Sequence, residues 1–405
     1  MTTPAPLAGH LGNLTPQEQS TLDEFKQVCR EQSLYREADP PGKPSHDDAT
    51  LLRFLRARKF HVQDAFQQFK DTVEWRQEVE LDTVFENIEA EEFEETRRLY
   101  PQWTGRRDRR GSPVYLYKVQ QLDAKTMNTY EQNWKKSANS ATAGGASSTP
   151  PKMLRLFCLY EMLTHFVMPM CTALPDRPYP ATPVTQSCNI VDISGVGLRQ
   201  FWNLRSHMQD ASTLATAHYP EVLDKIFIIG APSFFPIVWS WIKAWFDPIT
   251  VSKIFIVSAA DTHATLAEHI DSANIPSQYG GSLKFAFGNP PRLDPAIVNM
   301  LDWTSPPKIG EEPTFPLGPA KWVDRNEKEM EALFIGKVGG KPRREVVAVM
   351  RRLEESTSSA PAAPTLNVPE QTLMNDETNK QALEEKARGS ASMTTSTSGG
   401  VAISS

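Results

Sequence analysis

A hydroxyl and an ammonium group follow the most apolar stretch of the chain, at Thr250 and Lys253, with the carboxylate of Asp247 just before them. Together they can hold a phosphate through a neutral and a charge-assisted hydrogen bond. Glu221 could orient the ammonium group of Lys253 or accept hydrogen bonds from a sugar-like headgroup. Arg58 would add positive charge if the N-terminal helices pack nearby. Because a lysine at the start of a strand is usually solvated, this interpretation requires a cavity at the same place.

Motifs for catalysis are missing from the sequence, which contains no GxxxxGK[ST], GxSxG or HExxH segment. A Gly-Val-Gly segment at 195–197 follows a predicted strand, but Gln200 stands where a dinucleotide fingerprint needs a glycine. Cys171 begins a segment with the spacing of a phosphatase loop, but Pro175 removes an N–H that such a loop needs. The histidines do not have metal-ligand spacing. We therefore predict no catalytic residue, no metal site and no cofactor.

The most apolar stretch, residues 226–242, carries no charge and resembles a membrane-spanning segment in its hydropathy. Gly230, Pro232 and Pro236 interrupt it, however, and each unmade backbone hydrogen bond in lipid costs several kcal/mol. A better interpretation is a strand over 225–229, a helix over 234–246, a loop over 247–252 and a strand over 253–258. So apolar a helix must lie in a core, or cover a hydrophobic cavity and enter a membrane when it moves.

Composition favours a soluble cytosolic protein. The 405 residues exceed one average domain, and 40% hydrophobic residues are enough for a sizeable core. The formal net charge of -6 argues against a general nucleic-acid binder. The 4 cysteines are widely spaced, which is typical of reduced thiols, and the N-terminus has no basic or apolar region of a secretion signal.

Helices are predicted at the N-terminus. Thr15 is the predicted N-cap of a helix over 16–31, and Ser45 with Asp48 three positions later has the spacing of a second cap. The second helix carries the segment LLRFLRARKF, whose basic side chains are expected to form a solvated face. A third helix over 62–79 completes a small helical domain.

Strand-like segments alternate with helix-like ones from residue 113 onward, which favours a mostly parallel sheet with helices packed against it. The further predicted elements are strands over 114–119 and 188–193 and helices over 154–167, 200–217 and 262–270. Two insertions, over 137–151 and 174–185, are expected to form surface loops.

The chain beyond residue 288 is proline-rich, with candidate helices over 327–334 and 342–353. The second candidate is basic and amphipathic, and such a helix can lie on anionic lipid or dock on its own domain. The predicted organisation is a flexible N-terminus with a short helix (1–44), a helical domain (45–100), an α/β domain (101–288), a partly helical extension (289–354) and a disordered tail (355–405).

Several segments occur here in a specific combination: LLRFLRARKF with EWR after it, then VDISG, AHYPE, DPITVSKI and IPSQYGG. With them the chain resembles the CRAL-TRIO lipid-binding family, in particular fungal phosphatidylinositol/phosphatidylcholine transfer proteins of the secretory pathway. The resemblance covers about residues 45–288. It implies an α/β domain whose mostly parallel sheet floors a lipid cavity, preceded by a small all-helical N-terminal domain. One phospholipid would be held with its acyl chains inside.

The resemblance also implies roles for individual residues. The phosphatidylinositol headgroup contacts carry over to Arg58, Glu221, Thr250 and Lys253. The phosphatidylcholine headgroup contacts carry over to Tyr115, Tyr160 and Ser187. The apolar helix corresponds to the family's gate, with the residues Phe235, Val238, Trp239, Ile242, Trp245 and Phe246.

Three positions depart from the family pattern. Thr104 replaces a tyrosine, Asn189 a threonine and Val222 an arginine. Because aromatic faces stabilise a quaternary ammonium group, the loss of a ring weakens the case for choline lipid more than the case for inositol lipid.

The expected function is therefore non-enzymatic exchange of phosphatidylinositol, with phosphatidylcholine as a second ligand, in support of phosphoinositide synthesis and Golgi trafficking. The expected partners are these lipids, Golgi or endosomal membranes contacted peripherally and transiently, and phosphatidylinositol kinases. A cytoplasmic monomer without nucleic acid is expected. Two alternatives stay open: a carrier or sensor of a sterol-, tocopherol- or retinoid-like hydrophobe, and a lipid-dependent regulatory scaffold acting through the C-terminal region.

Overall fold

A five-stranded sheet forms the centre of the structure, a computed structural model that describes residues 7–38, 42–137, 149, 151–245, 248–305 and 312–352. The side chains of 134–137, 151, 152, 245 and 249 are excepted. The strands lie in the order β1 (Gln102–Arg107), β2 (Pro113–Lys118), β3 (Ser187–Asp192), β4 (Leu223–Ile229) and β5 (Ile254–Val257). β1 is antiparallel to β2 and the other pairs are parallel, which confirms the predicted mostly parallel sheet.

Helices precede this sheet and connect its strands. Those before β1 are α1 (Pro16–Glu31), α2 (Asp48–Ala57), α3 (Val62–Glu78), α4 (Leu81–Asn87) and α5 (Ala90–Leu99). Those between β2 and β4 are α6 (Ala124–Ser137), α7 (Pro151–Met162), α8 (Met168–Thr172) and α9 (Leu198–His218), with a π-helical turn (Leu163–Val167) between α7 and α8. The later ones are α10 (Phe235–Ile242), α11 (Pro248–Ser252), α12 (Thr262–His269) and α13 (Pro295–Met300).

The two faces of the sheet belong to different apolar clusters, because side chains alternate along a strand. Val114 and Leu116 of β2 pack in one cluster with Leu266 of α12. Tyr115 and Tyr117, on the other face, join the larger cluster that contains residues of α7, α9 and α10. Among the described residues, no helix combines the length and the apolar character needed to cross a bilayer.

The N-terminal helices form as predicted, but two details differ. Thr15 caps α1 through a reciprocal pair of hydrogen bonds with Glu18. The cap of α2 is Asp47 and not Ser45, because the Asp47 carboxylate accepts from the Thr50 N–H while Ser45 Oγ accepts from the Arg36 N–H. The expected solvated basic face of α2 is also wrong in part: Arg53 is only 7% exposed.

The described part of the N-terminal segment, from Leu7 to Thr15, contacts the α/β part of the protein. His10 is buried, with its Nε2 3.3 Å from Gln186 Oε1, and Asn13 Nδ2 donates to Thr182 Oγ1 at 2.7 Å. The second of the predicted surface loops therefore supports the N-terminus. The other loop and the predicted disordered tail lie, apart from Thr149 and the ends of that loop, outside the described residues.

The C-terminal extension contains strands where helices were predicted. An antiparallel sheet has the order β6 (Asp302–Trp303), β11 (Glu345–Arg351), β8 (Glu329–Phe334) and β7 (Ala320–Asp324), and β9 (Lys337–Val338) pairs with β10 (Lys341–Pro342). The candidate helices over 327–334 and 342–353 are thus wrong. Three valines in the second segment favour a strand once β8 is available as a neighbour, since β-branched side chains fit a pleated sheet.

Trp322 attaches this C-terminal sheet to the π-helical turn. Its ring stacks on Phe166 at 5.4 Å, and its Nε1–H donates to the Phe166 carbonyl at 2.9 Å. We expect Trp322→Ala to lower the free energy of unfolding by about 3–5 kcal/mol, because it leaves a large cavity. Urea denaturation measures this loss. Val338→Ala, at a 53% exposed position in the same extension, is the control and should change stability little; equal effects would contradict the assignment.

Candidate functional site

An ion pair joins Glu221 and Lys253 at one end of the central sheet. Glu221 lies between α9 and β4, and Lys253 directly precedes β5. Lys253 Nζ donates to Glu221 Oε2 at 2.9 Å and to the Leu223 carbonyl at 3.1 Å. Glu221 has a φ of 58°, which a side chain with a Cβ rarely adopts and which must be held by its surroundings. The structure thus brings together two of the four residues predicted for the inositol headgroup.

Helix α2 supplies the arginines that support this pair. Arg53 Nε donates to the Pro220 carbonyl at 3.1 Å and so fixes the backbone just before Glu221. Arg56 lies close enough for the Glu221 carboxylate to affect it, while burial lowers the pKa of Arg56 to about 10. Its guanidinium therefore stays charged at neutral pH. Its Nε and Nη2 are buried and have no hydrogen-bond partner within the described parts of the chain.

Arg58, the arginine predicted for the headgroup, is exposed at the C-terminal end of α2. Sequence reasoning did not select Arg56. A signal for it exists, because Arg53 and Arg56 are three residues apart and share one face of the helix. With Arg53 directed toward Pro220, Arg56 follows on the same side.

Thr250 lies on α11, a short helix where a loop was predicted. It is partly buried, and its carbonyl accepts from the Lys253 N–H at 3.1 Å, so one turn of chain connects the hydroxyl to the ammonium group. Ile254, the next residue, packs in the apolar cluster that contains α10. Asp247 lies outside the described residues. The arrangement places polar groups at the edge of an apolar interior.

Tyrosines line the interior on the same face of the sheet. Tyr115 and Tyr117 retain partly accessible side chains although protein surrounds them, and burial raises the pKa of both. Tyr160 of α7 packs against Tyr219 at 4.9 Å, and burial raises the pKa of Tyr160 to about 12. All three phenols stay neutral at physiological pH and can serve as hydrogen-bond donors or as apolar ring surfaces.

A half-open cavity borders Tyr115. Trp103 of β1 pairs with Tyr115 across the strands and also lines the cavity, as does Phe315 from the C-terminal extension. Thr104, where the family has a tyrosine, is fully buried and its Oγ1 donates to the Val114 carbonyl. The ring of Trp103 therefore lines this cavity, one residue before the position at which the family has a tyrosine.

The side chains of Ser187 and Asn189 on β3 form hydrogen bonds within the protein. Asn189 Nδ2 donates to Ser187 Oγ at 3.0 Å, and Ser187 Oγ donates to the Val222 carbonyl at 3.1 Å. Both residues are buried. The hydroxyl predicted for a choline lipid is therefore already occupied by neighbouring protein groups.

The predicted apolar helix is present as α10 and continues as a 3₁₀ turn, Lys243–Trp245. Its buried side chains are Phe235, Val238 and Ile242, and Trp239 is partly buried. Phe235 lies 6.2 Å from Phe201 of α9, ring to ring. The Trp245 side chain and Phe246 lie outside the described residues. One face of α10 thus packs against the larger apolar cluster.

A buried carboxylate connects the N-terminal helices to α7. Arg76 of α3 donates to both oxygens of Glu161 at 2.7 and 2.9 Å, and His165 Nδ1 lies 3.2 Å from the same carboxylate. The Tyr219 hydroxyl also donates to Glu161. These partners hold the pKa of Glu161 well below its usual range despite its burial. His218 stacks on Trp75 at 4.1 Å, which makes it a packed residue.

Comparisons with known proteins agree with this architecture. The CRAL/TRIO domain matches residues 97–281, and the CRAL/TRIO N-terminal domain matches residues 21–71. The SEC14 cytosolic factor of Eremothecium gossypii is 30% identical over 307 residues, 76% of this chain and 89% of that protein. The Sec14 cytosolic factor of Schizosaccharomyces pombe is 30% identical over 70% of this chain and 88% of its own.

A plant protein is also similar. The phosphatidylinositol/phosphatidylcholine transfer protein SFH7 of Arabidopsis thaliana is 32% identical over 59% of this chain, although the match spans only 40% of that protein. The helical N-terminal region, the mostly parallel sheet and these similarities lead to one conclusion: the chain belongs to the CRAL/TRIO family and is a relative of the fungal Sec14 cytosolic factors.

Proposed function

We propose that this protein is a non-enzymatic carrier that binds phosphatidylinositol and exchanges it between membranes. The observation that carries the proposal is that two buried nitrogens of the Arg56 guanidinium, Nε and Nη2, have no hydrogen-bond partner among the described residues, and that Arg56 lies near the Glu221–Lys253 ion pair. A buried N–H group without a hydrogen-bond acceptor is costly, and a phosphate oxygen is the acceptor that best matches a guanidinium.

Each group then has a role in holding the headgroup. Arg56 and Lys253 would bind the phosphodiester, and Thr250 would donate its hydroxyl to the same group. Glu221 would accept hydrogen bonds from inositol hydroxyls while it orients Lys253. Arg58, exposed at the end of α2, would add to the positive potential at the entrance.

The apolar interior would hold the acyl chains, with α10 as a movable cover. Burying a methylene group is worth about 0.8 kcal/mol, so exposing two acyl chains to water would cost on the order of 20 kcal/mol. Cargo therefore leaves at a useful rate only if α10 moves while the protein contacts a membrane. The three buried side chains of α10 and the partly buried Trp239 are those that would separate from the interior.

Phosphatidylcholine is proposed as the weaker ligand. Tyr115, Tyr160 and the newly recognised Trp103 provide ring faces for a quaternary ammonium group. Against this, the Ser187 hydroxyl is engaged with Val222 and Asn189. By supplying phosphatidylinositol at Golgi or endosomal membranes, such a carrier would support phosphatidylinositol kinases and secretory trafficking.

A second candidate cargo, a sterol-like or other largely apolar molecule, is favoured by the cavity beside Trp103 and Tyr115. Rings and aliphatic side chains form much of its wall, and among the lining residues the Arg97 guanidinium is paired with Glu94 at 2.6 Å. A ligand with a single hydroxyl would fit such a wall better than a charged headgroup would.

Vesicle transfer tests the proposal. Labelled phosphatidylinositol or phosphatidylcholine in donor vesicles should move to acceptor vesicles at a rate proportional to protein concentration, and the inositol lipid should move faster. Labelled cholesterol serves as the comparison cargo. Transfer of cholesterol without either phospholipid would contradict the proposal and support the second candidate.

A further inference from the structure

Two helices expose tryptophan side chains that lie against each other on the surface. Trp202 of α9 is 59% exposed and Trp241 of α10 is 42% exposed, and their rings meet edge to face at 6.0 Å. Leu198, one turn before Trp202, is 49% exposed, and Ile237, one turn before Trp241, is 60% exposed. We call these four side chains the tryptophan patch. Large apolar side chains exposed together usually mark an interaction surface.

Positive charge surrounds the tryptophan patch. Arg199, Arg205 and Lys243 are exposed on the same two helical segments, and the Arg205 guanidinium lies 5.6 Å from the centre of the Trp202 ring. The sequence has no aspartate or glutamate over 193–209 or over 226–246, although the whole chain carries a net charge of -6. The local excess of basic residues is therefore opposite in sign to the protein as a whole.

This combination fits the surface of an anionic membrane. Tryptophan prefers the boundary between headgroups and acyl chains, and each basic residue near an anionic bilayer adds about 1 kcal/mol of attraction. A second copy of this chain fits poorly, because its own patch would bring three more cations to the same place. An anionic bilayer satisfies both the rings and the charges.

We propose that the tryptophan patch, with Arg199, Arg205 and Lys243, is the surface by which this protein docks on anionic membranes. The inference rests on the proposed exchange function and adds α9 to it. α9 is held to the protein core by the buried Phe201 and Leu204. It therefore serves as a fixed anchor beside α10, whose outer face contacts lipid while its inner face still covers the interior.

Co-sedimentation with vesicles tests the docking surface. We expect wild-type protein to bind vesicles of phosphatidylcholine mixed with phosphatidylserine more tightly than vesicles of phosphatidylcholine alone. The double variant W202A/W241A should bind the anionic vesicles roughly tenfold more weakly or worse, through loss of inserted apolar surface. R199E/R205E should remove the preference for anionic vesicles while a weaker binding to both remains.

The control is L317A/V338A, which removes two apolar side chains that are 48% and 53% exposed elsewhere on the protein. It should bind vesicles as wild type does. Undiminished binding by W202A/W241A would overturn the proposal, and so would equal wild-type affinity for neutral and anionic vesicles. Concentration-dependent dimerisation that W202A/W241A abolishes would instead assign the patch to a second copy.

Transfer measurements separate this inference from the function on which it rests. If W202A/W241A transfers phosphatidylinositol at the wild-type rate, the docking surface is wrong and the exchange function stands. If wild type docks through the patch but transfers no phospholipid, the exchange function is wrong and the surface stands. Thermal unfolding of each variant shows whether the fold is retained, which is expected because the substituted side chains are exposed.

Discussion

Lys253→Ala is expected to reduce transfer of phosphatidylinositol by roughly 10- to 100-fold, since a hydrogen bond to a charged group is worth about 1.5–3 kcal/mol. The ammonium group has two roles in the proposed site, as a donor to the phosphate and as the counterion of Glu221. Without it, the Glu221 carboxylate is left close to an anionic headgroup and repels it. Transfer of phosphatidylcholine, whose proposed contacts are the tyrosines, should fall much less. Paired vesicle assays with the two labelled lipids measure this selectivity.

Lys225→Ala is the matched control for this substitution. Lys225 is also a partly buried lysine with a carboxylate partner, since its Nζ donates to Asp224 at 2.8 Å. It lies on the same face of β4 as Phe227 and Ile229, and these two residues pack on the side of the sheet away from the tyrosines. Its loss should leave the ratio of the two transfer rates unchanged. Equal losses for both lipids in Lys253→Ala would contradict the headgroup assignment and indicate a general structural effect.

Glu161→Gln is expected to lower the free energy of unfolding by about 3–5 kcal/mol at neutral pH, because it leaves the guanidinium of Arg76 without its bidentate acceptor. Glu161 is 1% exposed, so water cannot replace the lost charge. Arg76 retains its pair with Asp82, which places the expected loss at the lower part of this range. Urea denaturation at pH 7 measures the difference.

The effect of pH follows from the direction of the shift. The pKa of Glu161 is lower in the folded protein than its ordinary value of 4.5. The unfolded chain therefore takes up a proton first as pH falls, and the stabilisation by Glu161 is complete above about pH 4.5 and declines below it. The advantage of wild type over Glu161→Gln should shrink as acid is added. Glu74→Gln, at a carboxylate 61% exposed and 3.8 Å from Lys70, should change stability by less than about 0.5 kcal/mol at any pH. An advantage over Glu161→Gln that is constant from pH 7 to pH 3 would contradict the assignment.

Local patterns predicted those parts of the fold in which neighbouring residues decide the structure. The segments that form β4 and β5 are short and rich in β-branched residues, which predicts strands. Gly230 and Pro232 separate β4 from α10. Thr15 and Glu18 have the spacing of a capping box, and both hydrogen bonds of the box form. In each case the interaction joins residues close in sequence or follows from periodicity.

Long-range contacts decide the features that could not be predicted. The segment over 345–351 carries valines and arginines that suit either a helix or a strand, and its pairing with β8 selects the strand. The position of Arg56 depends on how α2 packs on the turn before β4, which is about 165 residues away in the chain. Trp103 became relevant only through its register with Tyr115 across two strands. The resemblance to the family selected Arg58 for the proposed headgroup site, whereas packing brings Arg56 close to Glu221.

Native mass spectrometry of the purified protein, followed by lipid analysis of the released ligand, tests the central claim most directly. The account predicts a 1:1 complex whose released ligand is chiefly phosphatidylinositol, and a loss of that species in Lys253→Ala. A protein that carries a sterol or another uncharged hydrophobe, unchanged in Lys253→Ala, would contradict it.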